Sequence, residues 1–80
     1  MKKLSFEEHQ EIGKKIKSLK RELYELMRML SGRVPLSFWE YQTRRIDKAI
    51  TTLKSDMDDK LFQECGEKDF NVLVNVYYGE

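Results

Sequence analysis

The sequence predicts an all-α protein, an antiparallel two-helix hairpin followed by a short C-terminal strand. Apolar residues recur every three or four positions over most of the chain, and a glycine and a proline interrupt this helical pattern near its middle. Near the C-terminus the pattern changes to strict alternation, which is typical of a strand. The chain has 80 residues, a formal net charge of +1 and 40% hydrophobic residues. This composition indicates one folded domain, residues 1–80, and argues against a disordered segment.

The first helix is predicted over residues 6–31. Ser5 and Glu8 have the spacing of a capping box, in which each side chain accepts a hydrogen bond from the other residue's backbone N–H. Gly32 marks the end, because glycine readily adopts the left-handed conformation found after helices. We interpret Gly13, inside the helix, as a tolerated surface glycine, in preference to a close approach by the tail or another chain. The apolar stripe at heptad spacing consists of Ile12, Ile16, Leu19, Leu23, Leu26 and Leu30.

The second helix is predicted over residues 38–65. Ser37 and Glu40 repeat the capping-box spacing after Pro35, and Gly66 supplies the end. The connection, residues 32–37, is too short for anything but a reversal, so the two helices should pack antiparallel. The apolar stripe of the second helix contains Trp39, Ile46, Ile50, Leu53, Met57 and Leu61. Between the helices we expect six buried residues, Ile16, Leu19, Leu23, Ile46, Ile50 and Leu53.

The tail, residues 70–78, alternates β-branched and aromatic residues with others, as a strand does. No second strand candidate exists in the chain, and an unpaired strand leaves its backbone donors and acceptors free. We therefore expect the strand to pair with a partner or to fold back on the hairpin, in preference to a flexible tail. The candidate partner-binding residues are Phe70, Val72, Val74, Val76 and Tyr78.

The residue types that carry catalysis or bind metals lack suitable neighbours. His9 is the single histidine, and the positions one helical turn later hold Ile12 and Gly13 where a second ligand would be needed. We therefore predict a solvated surface histidine. Cys65 has no histidine nearby in sequence, and the acidic run at 56–59 lacks the glycine of a calcium loop. The prediction is a protein with no catalytic residue, metal site, cofactor or small-molecule substrate.

A basic stretch in the first helix is the weak candidate for nucleic-acid binding. Residues 14–28 contain six basic and two acidic residues, whereas residues 56–69 contain two basic and six acidic ones. Antiparallel packing brings parts of the two stretches together, so we favour a solvated, internally neutralised face over a phosphate-binding one. The outward-facing basic residues are Lys14, Lys17, Arg21 and Arg28.

A two-helix hairpin buries only one stripe, and this chain carries more large apolar residues than one stripe can hold. We therefore expect a homodimer, a coiled-coil-like four-helix bundle that acts in protein–protein interaction and is not an enzyme. A small regulator that contacts nucleic acid is the alternative. The chain has no apolar run of membrane-spanning length and no secretory pattern at its start, and its one cysteine suits a reducing compartment. These features predict a cytoplasmic location.

Overall fold

The computed structural model describes residues 3–79, and its three helices confirm the all-α class. Helix α1 spans Phe6–Leu30, α2 spans Leu36–Glu64 and α3 spans Phe70–Tyr77. Contacts between α1 and α2 pair Lys20 with Thr51, Tyr24 with Asp47 and His9 with Glu64. The partner's residue number falls as the α1 residue number rises, so the two helices run antiparallel. Across the described chain, no helix has the length and apolar content needed to cross a membrane.

Helix α1 begins where the local sequence predicts and ends at Leu30, one residue before the predicted end. Ser5 Oγ accepts a hydrogen bond from the Glu8 N–H at 3.1 Å, and Glu8 Oε1 accepts one from the Ser5 N–H at 2.8 Å. This reciprocal pair satisfies two backbone donors that the helix itself leaves free. After Leu30 the chain turns through Gly32, whose φ of 79° lies in the left-handed region.

Helix α2 starts two residues earlier than predicted, and the expected capping box does not form. Pro35 occupies the N-cap position with φ −55° and has no side-chain capping bond, so Ser37 lies within the first turn. The fixed φ of proline suits a helix start without help from a serine cap. Trp39 Nε1 donates a hydrogen bond to the Val34 carbonyl at 3.1 Å, which ties the turn to the first turn of α2.

The predicted strand over residues 70–78 is wrong, because this segment forms helix α3 and no strand exists among residues 3–79. Asp69 caps α3 by accepting a hydrogen bond from the Asn71 N–H at 3.0 Å. A helix satisfies its backbone groups internally, whereas a lone strand needs a partner for them. Leu73, Val76 and Tyr77, at i, i+3 and i+4, form one apolar face that packs on the hairpin.

Helix α3 packs against the N-terminal half of α1 and the C-terminal part of α2, and the core lies between the three helices. The interpretation of Gly13 as a surface glycine is wrong, since Gly13 is buried against α3. A β-carbon at this position would overlap the backbone carbonyl oxygen of Val76. Glycine therefore allows the close approach of the tail. The buried hydrophobic cluster consists of Ile16, Leu61, Cys65, Leu73, Val76 and Tyr77.

The contact between α1 and α2 is rotated from the predicted one. Ile16 and Leu23 are buried and Ile50 is partly buried, as expected. However, three residues expected in the interface remain about half exposed: Leu19 at 52%, Ile46 at 46% and Leu53 at 48%. Lys20 and Thr43 occupy the contact face in their place. Helix α3 docks on the Gly13 side of α1, and this side turns inward while the Leu19 side turns outward.

Candidate functional site

One apolar surface of the hairpin is not covered by any element within residues 3–79. Leu26 of α1 is 45% exposed, similar to Leu19, Ile46 and Leu53. These four residues form what we call the open face. Each helix contributes two members seven residues apart, so the members on one helix share one side.

The open face lies on the side of the hairpin opposite α3. Lys17 Nζ donates a hydrogen bond to the Asn75 carbonyl of α3 at 3.1 Å. Leu19 follows Lys17 by two residues, and two residues turn an α-helix by about 200°. Helix α3 therefore covers one side of α1 and leaves the side with Leu19 and Leu26 uncovered.

Towards the turn, beyond the reach of α3, polar bonds close the α3 side of the hairpin. Lys20 Nζ donates to Thr51 Oγ1 at 3.0 Å and lies 3.7 Å from Asp47 Oδ1. The Tyr24 hydroxyl also donates to Asp47 Oδ1, at 3.3 Å. Exposed apolar surface between the helices is thus concentrated on the opposite side. Further large exposed side chains surround the turn, namely Met29, Leu36, Phe38 and Tyr41.

A second feature is a buried polar cluster in which each helix contributes one residue. His9 Nδ1 lies 2.7 Å from the Tyr77 hydroxyl, and His9 Nε2 lies 2.8 Å from Glu64 Oε1. His9 is completely buried, and its ring meets the Tyr77 ring edge-on with centroids 5.9 Å apart. A carboxylate only accepts hydrogen bonds, so we assign the Nε2–H tautomer, with Nδ1 accepting from the Tyr77 hydroxyl. This assignment gives every polar atom in the chain of bonds a partner.

The cluster shifts the acidity of its members in opposite directions. The hydrogen bond from His9 lowers the pKa of the Glu64 carboxyl, helped by the Leu4 N–H and by Lys60, while burial opposes the shift. Burial raises the pKa of Tyr77 to about 12, and the negative charges of Asp58 and Glu64 add to this effect.

Asp58, beside the cluster, has an oxygen, Oδ1, that is buried and finds no hydrogen-bond partner among the described residues. Its pKa is raised, first by burial and then by Asp59.

The cluster acts as a cross-link between three helices. General acid–base catalysis requires a side chain within hydrogen-bond reach of a substrate. Here both ring nitrogens of His9 are already bonded to protein groups in a position without solvent exposure. What the geometry does is tie Tyr77 of α3 to α1, and α1 to Glu64 at the end of α2.

The prediction of a solvated His9 is therefore wrong, and the sequence reasoning missed Glu64 and Tyr77. The heptad spacing contained a signal for two of these three residues, His9 and Glu64. His9 precedes Ile16 by seven residues, and Glu64 follows Met57 by seven, so both continue the stripes that face the interior. Tyr77 gave no such signal, because its position depends on α3 being a helix.

The predicted partner-binding residues of the tail do not share one surface. In a strand they would all lie on one side, but a helix distributes alternate residues around its circumference. Val76 is buried against the hairpin and Val74 is half-buried. The exposed residues are Phe70, Val72 and Tyr78.

The basic candidates are partly used within the fold. Lys17 bonds a carbonyl near the C-terminal end of α3, where a cation is favourable. Lys14 and Arg21 line a groove beside it together with Asn75. Arg28 is exposed in the last turn of α1, well away from this groove. Within the residues that the structure covers, no group of three histidine, cysteine or acidic side chains could hold a metal ion.

Comparison with known proteins gives no match from which a role for the open face or the buried polar cluster could be inferred. The chain matches no family model, and neither the curated proteins nor the solved structures show significant similarity to it. The function is therefore argued from the geometry of the open face.

Proposed function

We propose that this protein is a non-catalytic self-association module, in which two hairpins join through their open faces to form a four-helix bundle. The observation that carries the proposal is the open face itself. Four aliphatic side chains at heptad spacing, each about half exposed, lie on one side of the hairpin. Contiguous apolar surface of this kind is typical of an interaction site.

The dimensions of the molecule support a second copy as the partner. The described chain measures 49 × 24 × 17 Å, so its long side is large enough to supply the ~800 Å² per partner of a standard interface. Among residues 3–79, large hydrophobic residues that are exposed outnumber those that are buried. Burying the remaining half of each open-face side chain would contribute on the order of 1 kcal/mol per residue. A two-fold interface doubles this contribution, because both copies present the same residues.

The test is the mass of the protein in solution. Light scattering over a range of concentrations should give twice the chain mass of 9.6 kDa. Replacing Leu19 or Leu53 with Asp should return the mass to that of one chain without loss of helical signal, because a carboxylate in the interface would be desolvated without a partner.

Tyr41→Asp is the control. Tyr41 is 66% exposed and lies more than 100° around α2 from Ile46 and Leu53, so a carboxylate there should leave the dimer intact. A wild-type mass of one chain at every concentration would refute the proposal. Equal loss of the dimer in the control would show that another surface mediates association.

A further inference from the structure

We infer that the two copies pack antiparallel, with their turns at opposite ends, about a two-fold axis that passes beside Leu19 of α1 and Ala49 of α2. The inference rests on the proposed function, because it requires a second copy on the open face. It adds the orientation of that copy and the residues that select it.

The outward stripe of α1 is nearly palindromic. Its members are Ile12, Lys15, Leu19, Glu22 and Leu26, with spacings of three, four, three and four residues. Four of them are exposed, whereas Ile12 is partly buried against the core. If α1 packs antiparallel on its own copy with Leu19 at the centre, Ile12 meets Leu26 of the partner subunit. Lys15 then approaches Glu22 of the partner subunit, and the symmetry repeats this ion pair on the other side of the axis.

The outward stripe of α2 has the same kind of symmetry. Ile46 and Leu53 lie on either side of Ala49, so antiparallel packing of α2 on its own copy brings Ile46 to Leu53 of the partner subunit. Ala49 then lies near the axis, where a small side chain lets two helices approach closely. At the edges, the Asp56 carboxylate comes near the Gln42 amide of the partner subunit, which can donate to it.

The centres of the two stripes lie at the same height in the hairpin, which a single two-fold axis requires. Lys20 contacts both Asp47 and Thr51, so residues 47–51 lie opposite Lys20. Lys20 is therefore level with Ala49, the midpoint of that range, and Leu19 lies within about one residue, a rise of ~1.5 Å, of the same level. The two palindromes belong to separate helices, and the turn could have offset them by any number of residues. Their alignment is the observation that favours one axis for both.

The competing arrangement places the two-fold axis along the helices, so that each α1 lies on the partner's α2. Lys15 would then lie level with Leu53 of the partner subunit, one turn from the partner's Asp56, and Glu22 would lie level with the partner's Ile46. Both charges of the α1 stripe have opposite charges to meet only in the antiparallel arrangement. Since an unpaired charge at an interface is unfavourable, the charge pattern selects that arrangement.

Cysteine cross-linking distinguishes the two arrangements. In the antiparallel dimer Leu19 meets its own copy, so Leu19→Cys should form a covalent dimer on mild oxidation. Ile12→Cys is the matched control, because its two copies would be about 20 Å apart, fourteen residues along the helices. The wild type, with only the buried Cys65, shows the background.

Charge reversal gives a second readout that does not rely on oxidation. Lys15→Glu and Glu22→Lys should each raise the dissociation constant of the dimer by about tenfold. The double variant should restore the wild-type value to within about threefold, since it recreates both ion pairs in reverse. Lys15→Glu combined with Asp56→Lys should not restore it.

The outcomes separate this inference from the proposed function. A dimer in which position 19 fails to cross-link, or in which Asp56→Lys rescues Lys15→Glu, would overturn the antiparallel arrangement and leave the self-association module standing. A wild-type protein that is monomeric at every concentration would overturn both.

Discussion

The two ends of the hairpin use the same heptad pattern with different results. At the end away from the turn, α3 covers the two helices, and the core there includes Leu61, Leu73 and Tyr77. Towards the turn, only two helices are present, and residues such as Leu26 and Ile46 remain about half exposed. An apolar stripe at helical spacing therefore specifies a helix, but it does not specify how much of the stripe other elements bury. A third element decides that at one end, and we propose that a second copy decides it along the open face.

Among the variants that test this difference between the two ends, removal of α3 has the largest expected effect. Deleting residues 70–80 removes Leu73, Val76 and Tyr77 from the core, each worth about 1.5–3 kcal/mol when fully buried. Small domains have total stabilities of about 5–15 kcal/mol, so we expect the cooperative thermal transition to be lost. Circular dichroism on heating measures this. A chain that ends at Tyr78 is the control. An unchanged melting temperature in the chain that lacks residues 70–80 would show that the end away from the turn does not depend on α3 for its stability.

A single truncation in each half sharpens the same contrast. Leu61→Ala, at a completely buried position, should lower the free energy of unfolding by about 2–5 kcal/mol. Leu26→Ala, at a position 45% exposed, should lower it by less than about 1 kcal/mol at concentrations where the protein is monomeric. Chemical denaturation measures both values. Similar losses in the free energy of unfolding at the two sites would contradict the conclusion that one end of the hairpin is covered and the other is not.

The buried cluster offers a smaller and more selective perturbation of the α3 end. Tyr77→Phe removes the hydroxyl that faces His9 Nδ1 and leaves a buried nitrogen without its partner, at a cost of about 1–3 kcal/mol. Tyr78→Phe makes the same chemical change at a side chain that is 50% exposed, and should change stability by less than about 0.5 kcal/mol. Denaturation of both variants provides the comparison. Equal effects would mean that the hydroxyl of Tyr77 does not hold α3.

The smallest expected effect is a pH dependence that belongs to the α3 end alone. The folded state lowers the pKa of Glu64 below its ordinary value of 4.5, with the His9 hydrogen bond as the main cause. Glu64 therefore stabilises the fold above pH 4.5, and this contribution is lost as the pH falls through the lower, folded value. In Glu64→Gln the amide oxygen still accepts from His9 but does not titrate.

We expect the melting temperatures of the wild type and Glu64→Gln to differ most near neutral pH and to converge in acid. Thermal melts between neutral pH and pH 3 measure the convergence. A constant difference over this range would show that the Glu64 charge does not contribute to stability.

Short stretches of sequence determined the features that depend only on residues close together in the chain. The start of α1 follows from Ser5 and Glu8, because a capping box needs only residues three positions apart. Its end before Gly32 follows from the conformational freedom of one residue. The helical class of most of the chain follows from the spacing of its apolar residues, since i, i+3 and i+4 share one side only in a helix.

The tail and the buried cluster were decided by tertiary contacts. Residues 70–77 satisfy both the alternation of a strand and the i, i+3, i+4 spacing of a short helix, so the segment alone does not choose between them. Docking on the hairpin chose the helix, which leaves no backbone group in need of another strand. His9 became buried for the same reason, because only the docked Tyr77 completes its surroundings.

The tertiary structure also decided which side of α1 faces inward. Two apolar stripes run side by side on this helix, one through Ile16 and Leu23 and the other through Leu19 and Leu26. Either could face α2 equally well as far as hydrophobicity is concerned. The absence of a side chain at Gly13 lets α3 approach on one side only, and this contact turns the first stripe inward and leaves the second as the open face. Packing between segments distant in sequence made that choice, because spacing along one helix carries no information about what lies beside it.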